Sequence, residues 1–256
     1  MIAVAGSKSW QRYTIKPTRR REDDGGNLYW VFGNTMHGTV NAFGLTEGSS
    51  FWNDFRYRRG SEIFGEAEPA DRLYQVKSGA VRTFKLLPDG RRQIGDFHLA
   101  GDIFGVESGD AYRFTAEAIV DTRVGIARRE TVFCQFSKEN TFPGADVLKL
   151  VAKNLEHAEN HVLLLGRQNA LEKIAFFLTE MDRRLESPKL LMLPMSRRDI
   201  ADYLGLTHET VSRSLSLFRR EGILAFPGKS QRQIMLRDRS RLVQLAFSPD
   251  IGSQLS

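Results

Sequence analysis

A glycine between two short amphipathic segments constrains this chain most. Residues 199–218 read DIADYLGLTHETVSRSLSLF, in which Gly205 separates two patterns of helical period. Glycine readily adopts the left-handed conformation that ends a helix sharply. Ser196 predicts an N-cap for the first helix, where Asp199 completes a capping box, and Thr207 predicts an N-cap for the second. The sequence therefore predicts two short helices joined by a tight turn.

The second helix has two chemically different faces. At about 100° per residue, Val211, Leu215 and Phe218 fall on one side. The opposite side carries Glu209, Ser212, Arg213, Ser216 and Arg220. This organisation is typical of a DNA-binding helix-turn-helix, whose second helix packs with one face and enters the major groove with the other. Residues 222–238, GILAFPGKSQRQIMLRD, then predict a basic β-hairpin wing.

We predict two groups of DNA-contacting residues. The base-reading group is Glu209, Ser212, Arg213 and His208. The backbone group is Ser196, Arg197, Thr207, Thr210, Ser216 and Lys229. An arginine can donate twice to a guanine, and a glutamate can accept from a cytosine amino group. An ordinary helical hairpin with solvated charges is the alternative, but the caps, the glycine, the polar face and the wing together favour DNA binding.

The first half of the chain has a different pattern. Between about 51 and 136, turn signals separate six apolar runs: RLYQV, AVRTFKLL, QIGDFHL, DIFGV, FTAEAIV and TRVGIA. Such runs predict an antiparallel barrel or jelly roll, here called the β-roll. The predicted fold class is α+β, with a β-roll, a long helix and a winged helix-turn-helix. The predicted divisions are an irregular segment 1–47, the β-roll 48–146, a dimerisation helix 147–166, the DNA-binding domain 167–242 and a tail 243–256.

The predicted long helix carries a narrow apolar stripe. Its members, here called the seam, are Leu148, Val151, Leu155, Ala158, Val162 and Leu165. They recur at intervals of three and four residues, which is typical of a coiled coil. The stripe predicts a homodimer. The alternative is an amphipathic helix that lies on its own β-roll.

Composition excludes several classes of protein. The chain has 256 residues, 41% of them hydrophobic, with a net charge of +6 and an excess of basic residues between Arg197 and Arg241. The sequence contains no apolar run long enough to span a membrane and no secretory signal, so we expect a cytoplasmic protein without membrane contact. The single cysteine, Cys134, excludes an internal disulfide and a four-cysteine metal site. Its apolar neighbours predict that it is buried.

Catalytic chemistry is not readable in this sequence. There is no nucleophile with a base, no glycine-rich phosphate loop and no metal triad, so we expect neither an enzyme nor a cofactor. His157 and His161 have the spacing of a metal-binding pair. They lie opposite Leu155, away from the seam, and solvated histidines are the favoured interpretation. His37 and His98 add nothing specific.

With these motifs, the chain resembles the CRP/FNR superfamily of bacterial transcription regulators, and within it the FixK group. The resemblance covers about 48–242 and is most specific in SRRDIADYLGLTHETVSRSLSLFRREGIL. FNR-like members carry the pattern seen here as Glu209, Ser212 and Arg213. The resemblance implies a homodimer that binds a TTGAT/ATCAA palindrome in double-stranded DNA. It also implies RNA polymerase as a partner and activation of genes for low-oxygen respiration or nitrogen fixation.

The β-roll departs from the ligand-binding members of this superfamily. Cyclic-AMP binders present Gly-Glu and then Arg-Ser, whereas here Gly105 precedes Val106 and Arg113 precedes Phe114. The cysteine cluster of oxygen-sensing members is also absent, which implies control by an upstream oxygen-responsive system. A regulator that responds to a cyclic nucleotide or another small molecule remains the alternative. Arg113 would then hold a carboxylate or phosphate, although a surface or ion-pairing role is more common for such a residue.

Overall fold

The structure is a computed structural model that describes residues 19–22, 28–31, 52–138, 145–167, 169–186, 189–228 and 232–247. The chain divides into two compact units, 1–39 and 40–256. In the first unit, β1 (Arg19–Glu22) pairs with β2 (Leu28–Val31) in the antiparallel direction. The prediction of an irregular segment 1–47 is wrong for these two strands. Each strand has four residues, and runs this short show no readable alternation.

The second unit begins with two four-stranded antiparallel sheets. Their strands are β3 (Asn53–Tyr57), β4 (Glu62–Phe64), β5 (Arg72–Ser78), β6 (Ala80–Leu86), β7 (Arg92–Leu99), β8 (Ile103–Phe104), β9 (Thr115–Ala118) and β10 (Thr122–Arg128). One sheet has the order β3-β10-β5-β8 and the other has the order β4-β9-β6-β7. The six predicted strands are confirmed as β5 to β10. Buried residues of both sheets share one core, so the sheets pack face to face as a β-roll.

Six helices lie in the described part of the chain. They are α1 (Arg129–Lys138), α2 (Ala145–Leu165), α3 (Ala170–Leu185), α4 (Arg197–Leu204), α5 (His208–Arg220) and α6 (Arg239–Phe247). The long helix α2 begins two residues before the predicted position 147. Cys134 on α1 is exposed, so the prediction that it is buried is wrong. Its apolar neighbour Val132 faces the core instead, because neighbouring residues of a helix point in different directions.

Three short strands complete the winged helix-turn-helix. They are β11 (Leu191–Met192), β12 (Leu224–Ala225) and β13 (Gln233–Leu236), in the antiparallel order β11-β13-β12. Helix α6 crosses the predicted boundary at 242, so the prediction of a tail is wrong for residues 243–247. Leu242, Leu245 and Ala246 are buried on one face of α6, which continues the helical period past that boundary.

The β-roll and the winged helix-turn-helix share an apolar core. Phe97 of β7 contacts Phe177 of α3 and Tyr203 of α4, with ring centroids 6.2 and 5.1 Å away. Buried residues of α3, α4 and α5 belong to the same cluster. The DNA-binding elements therefore pack directly on the β-roll.

Among the described residues, no helix is both long and apolar enough to cross a membrane.

Candidate nucleic-acid interface

The turn between α4 and α5 has the predicted geometry. Gly205 ends α4 in the left-handed region with φ +63°, and its N–H donates to the carbonyl of Ala201. The N–H of Leu206 donates to the same carbonyl over 3.0 Å. A Cβ added at Gly205 would meet Leu165 Cδ2 at 3.6 Å, which is ordinary contact. The backbone conformation, rather than lack of space, therefore explains why glycine is favoured here.

Both predicted N-caps are present. The Ser196 hydroxyl accepts from the Asp199 N–H over 3.2 Å, while Asp199 Oδ2 accepts from the Ser196 N–H over 2.9 Å. The Thr207 hydroxyl accepts from the Thr210 N–H over 3.1 Å, and the two threonine hydroxyls are 2.9 Å apart. These bonds, reciprocal at Ser196 and one-way at Thr207, fix the start of each helix. The capping hydroxyls of Ser196 and Thr207 thus already have partners within the protein.

Helix α5 separates its packing face from its polar face. Val211, Leu215 and Phe218 are buried, as predicted, and Ser214 is buried beside them. The predicted reading residues His208, Glu209 and Arg213 are exposed, whereas Ser212 is half-buried. The structure brings these four residues onto the outer side of one helix. The face is rigidly supported, because the residues behind it belong to the apolar core.

The carboxylate of Glu209 is held in its ionised form. Hydrogen bonds from its own backbone N–H and from the Thr207 side chain lower the pKa of Glu209, and His208 and Arg213 act in the same direction. An ionised carboxylate accepts hydrogen bonds only. Glu209 is therefore suited to a donor such as the cytosine amino group.

The residues predicted to contact the DNA backbone differ in how exposed their polar groups are. The guanidinium of Arg197 is half-buried and lies 5.4 Å from the centre of the Phe226 ring. Burial and the nearby charge of Arg219 lower the pKa of Arg197. The Ser216 hydroxyl donates to the carbonyl of Ser212 over 2.8 Å. Lys229 lies outside the described residues.

A basic cleft beside α5 was not predicted. Its volume is ≈ 310 Å³, and it lies between α4, α5 and the wing strand β13. Arg197, Arg198, His208 and Arg232 contribute to its lining. Arg198 and Arg232 were missed because the sequence gives their charge but not their position around a common cleft. Such a concentration of basic side chains suits the phosphate backbone of a nucleic acid.

The interior of the β-roll is filled by aromatic side chains. Phe64 stacks on Tyr112 with ring centroids 3.9 Å apart, and Tyr74 stacks on Phe104 at 5.2 Å. The Tyr112 hydroxyl donates to the carbonyl of Arg72 over 2.8 Å. These four rings are buried. They occupy the space between the sheets with apolar surface.

Arg113 forms an ion pair within its own loop. Its Nε lies 2.6 Å from Glu107 Oε2, and its backbone N–H donates to Glu107 Oε1 over 3.1 Å. The Glu107 side chain is 8% exposed, whereas that of Arg113 is 68% exposed. Of the two interpretations of Arg113, the structure therefore favours the ion pair.

Among the described residues, no group of three His, Cys, Asp or Glu residues could hold a metal ion.

Every residue of the predicted seam is exposed in the single chain. Leu148, Leu155 and Val162 are 64%, 57% and 68% exposed, and they are spaced seven residues apart. Val151, Ala158 and Leu165 form the second exposed row at the same spacing. The other side of α2 packs on the chain itself through Leu150 and Leu164, which are buried.

Comparisons with known proteins agree with this architecture. Residues 54–139 match the model of the cyclic nucleotide-binding domain, and residues 172–245 match that of the Crp-like helix-turn-helix domain. The chain is 43% identical over 194 residues to the nitrogen fixation regulation protein FixK of Azorhizobium caulinodans, covering 74% of this chain and 77% of that protein. It is also 43% identical over 169 residues to FixK of Rhizobium meliloti, covering 66% of this chain and 76% of that protein. The solved structure of FixK2 from Bradyrhizobium japonicum is 53% identical, with a TM-score of 0.71, covering 76% of this chain and 96% of that chain.

Proposed function

Because this chain belongs to the CRP/FNR family of transcription regulators, and within it to the FixK type, we propose that it binds a TTGAT/ATCAA-like palindrome as a homodimer. The chain is a DNA-binding transcription regulator and not an enzyme. Membership of the family implies both DNA binding and dimer formation. The half-site sequence and the residues that read it are the proposed part.

One observation carries this proposal, namely the outer face of α5. Glu209 and Arg213 are one turn apart, both are exposed, and Ser212 lies between them. Arg213 can donate to O6 and N7 of a guanine, while ionised Glu209 can accept from a cytosine amino group. A helix held by buried Val211 and Phe218 can present these groups in the major groove. Together they would specify a G·C pair in each half-site.

The exposed seam of α2 supports a two-fold arrangement. Two copies of the seam would bury the rows that begin at Leu148 and Val151 against each other. A two-fold dimer presents two copies of α5 to the DNA, about one helical turn apart. An inverted repeat is the DNA sequence that matches this symmetry.

Basic residues near α5 would hold the DNA backbone. Arg198 and Arg232 lie in the same cleft as Arg197 and His208, and they would contact phosphates irrespective of sequence. We extend the same role to Thr207 and Thr210, and to Ser216 once its hydroxyl turns from the Ser212 carbonyl to a phosphate. Lys229, in the turn of the wing, would add a further phosphate contact.

Control by a small molecule in the β-roll is disfavoured. The aromatic side chains of Phe64, Tyr74 and Tyr112 fill the interior, and Glu107 pairs with Arg113. A ligand phosphate would have to break that ion pair. We therefore propose a regulator that binds DNA without an effector in the β-roll.

The relatives suggest the biological setting. Proteins that are 43% identical bear the name nitrogen fixation regulation protein, so we propose genes of nitrogen fixation or low-oxygen respiration as targets. We further propose that the chain works in the cytoplasm as an activator that contacts RNA polymerase.

Selection from a random-sequence DNA library, followed by footprinting of the recovered sites, tests the proposal. We expect an inverted repeat with TTGAT-like half-sites and a two-fold footprint. Asn160→Ala, at an exposed position of α2 outside the seam, serves as the control and should recover the same repeat. Recovery of a direct repeat, or of sequences with no common element, would overturn it. Titration with cyclic AMP and cyclic GMP should leave the affinity for the recovered site unchanged.

A further inference from the structure

Two arginines of the β-roll converge on the first helix of the helix-turn-helix. Arg82 on β6 and Arg92 on β7 both reach Oδ1 of Asp199 in α4, over 2.6 and 2.7 Å. Arg92 also donates to Oδ2 of Asp202, from Nε over 3.0 Å and from Nη2 over 2.7 Å. These four residues, here called the clamp, join the sheet β4-β9-β6-β7 to α4.

Asp199 is the centre of the clamp. Its Oδ1 accepts from both arginines, and its Oδ2 accepts from the backbone N–H and the hydroxyl of Ser196 over 2.9 and 2.7 Å. The side chain of Asp199 is only 5% exposed. The same carboxylate thus caps α4 and attaches it to the β-roll. A shift of α4 along the sheet would break the bonds to the two arginines, whereas the bonds to Ser196 would move with the helix.

Each arginine also has a contact on the β-roll itself, which for Arg92 is the ring of Phe84. Nη2 of Arg82 donates to Oε1 of Glu117 on β9 over 2.7 Å, and the side chains of Arg82 and Arg92 are 14% and 19% exposed. Both guanidinium groups lie near the ring of Phe84, at 5.8 and 5.5 Å from its centre. A planar guanidinium with several ordered partners has little freedom, so its bonds are directional.

The apolar contacts between the β-roll and the winged helix-turn-helix are less directional than the hydrogen bonds of the clamp. Phe97 meets Tyr203 with a tilted geometry and meets Phe177 edge to face. Contacts of this kind favour burial but are not directional in the way that hydrogen bonds are. The two aspartates of the clamp lie on α4, which joins α5 through the turn at Gly205. The clamp therefore acts on the element directly before α5, whereas the directional contact from Arg184 to Asp102 Oδ2, over 2.6 Å, attaches α3 to the β-roll.

We propose that Arg82 and Arg92 are positioning residues that hold the helix-turn-helix in one orientation on the β-roll. They do not touch the DNA. Because the clamp is made within the chain, the orientation needs no bound small molecule. The proposal rests on the proposed function only where it links this orientation to binding of a palindrome, since both copies of α5 must then meet their half-sites together.

A distance measurement tests the orientation without DNA. Spin labels are placed on Cys134, which is exposed on α1, and on a cysteine introduced as Ser216→Cys on α5. Labelled chains are mixed with excess unlabelled chains, so that a dimer contains at most one labelled copy. We expect a narrow distance distribution in the parent protein and a broader one in Arg82→Gln, Arg92→Gln and their combination.

Matched variants separate positioning from general damage. Arg91→Gln is the control, because Arg91 is the exposed neighbour of Arg92 and, within the described part of the chain, pairs locally with Asp89. It should keep the narrow distribution. Arg92→Lys retains a charge beside Asp199 but not the forked geometry, so it should give an intermediate width. Circular dichroism and thermal melting confirm that each variant is folded before its distances are interpreted.

The affinity measurement links the clamp to function. If the fraction of dimers with both copies of α5 correctly oriented falls to about one tenth, the affinity for the selected palindrome falls about tenfold in the folded Arg82→Gln, Arg92→Gln combination. The preference among bases within one half-site should not change. An unchanged distance distribution in that combination, or a broad distribution with unchanged palindrome affinity, overturns the proposal. Failure of the parent protein to select any palindrome would instead reject the proposed function, and the distance result would still stand.

Discussion

His161 of α2 stacks on Tyr203 of α4 with ring centroids 4.0 Å apart and an angle of 5° between the planes. Its Nε2 lies 2.9 Å from the carbonyl oxygen of Tyr203. His157, one turn earlier, is 3.8 Å from Asp96 Oδ2 through Nδ1. The expectation that these histidines are solvated is therefore wrong. They face away from the seam, as predicted, but that side of α2 lies against its own chain.

Removal of the His161 ring should weaken the attachment of α4 to α2. We expect His161→Ala to lower the free energy of unfolding by about 1–2 kcal/mol, from the lost ring contact and the lost hydrogen bond. Urea unfolding followed by circular dichroism measures this change. Asn160→Ala, at the exposed neighbouring position, should change the value by less than about 0.5 kcal/mol. Equal effects of the two substitutions would contradict a packing role for His161.

Local signals in the sequence were sufficient to predict the helix-turn-helix. Gly205 and the Ser196 cap act on residues within a few positions, so their geometry follows from the residues themselves. The six β-roll strands were likewise recognisable from short apolar runs and the turn signals between them. The relationship of Arg82 to Asp199 was not, because 117 residues separate them and either charge alone is typical of a solvated surface. The exposed Cys134 was also missed, since apolar neighbours do not specify which way a helical residue points.

Acid should destabilise the protein below the ordinary pKa of histidine, through His98. Burial lowers the pKa of His98, while Asp96 and Asp102 act in the opposite direction and Arg184 and His157 reinforce the lowering. The folded state thus favours the neutral ring. As the pH falls below about 6.5, the unfolded chain binds a proton that the folded chain resists, so the stability from this group decreases.

The His98 contribution can be isolated by substitution. His98→Gln retains a polar side chain near Thr83, whose Oγ1 lies 3.2 Å from His98 Nε2, but it cannot titrate. Between pH 6.5 and pH 4.5, the free energy of unfolding should fall with decreasing pH in both proteins. We expect the slope to be smaller in the variant than in the parent protein, by up to about 1.4 kcal/mol per pH unit. Urea unfolding at a series of pH values gives the two slopes. Identical slopes would show that His98 does not titrate differently on folding.

The seam predicts the oligomeric state. Leu155→Asp and Val162→Asp each place a charge in the middle of the proposed interface, where burial without a partner is costly. We expect both variants to sediment as monomers at micromolar concentration and to lose affinity for the palindrome. Asn160→Asp introduces the same charge on an exposed part of α2 outside the seam and should remain dimeric. A dimer in both seam variants, or a monomeric parent protein, would be inconsistent with this interface.

Arg213 and Lys229 should differ in what they contribute to DNA binding. Arg213 is exposed on α5, and a good base contact is worth about 1–3 kcal/mol, so Arg213→Ala should lose about tenfold or more in affinity per half-site. The loss should be confined to sites that carry the guanine, because a G-to-A site has already lost that contact. Lys229→Ala should weaken binding to all sequences alike. It should also reduce the slope of the logarithm of the binding constant against the logarithm of the salt concentration by about one.

Titrations at two salt concentrations distinguish these two roles. The palindrome, its G-to-A variant and random DNA are each bound by the parent protein and by both substituted proteins. A bidentate contact to guanine makes the penalty of Arg213→Ala depend on the base, whereas a phosphate contact makes it independent of the base. If Arg213→Ala lowers affinity for all three DNAs equally, Arg213 is a phosphate contact. The G·C pair would then have to be read by Glu209 alone or by another residue of α5.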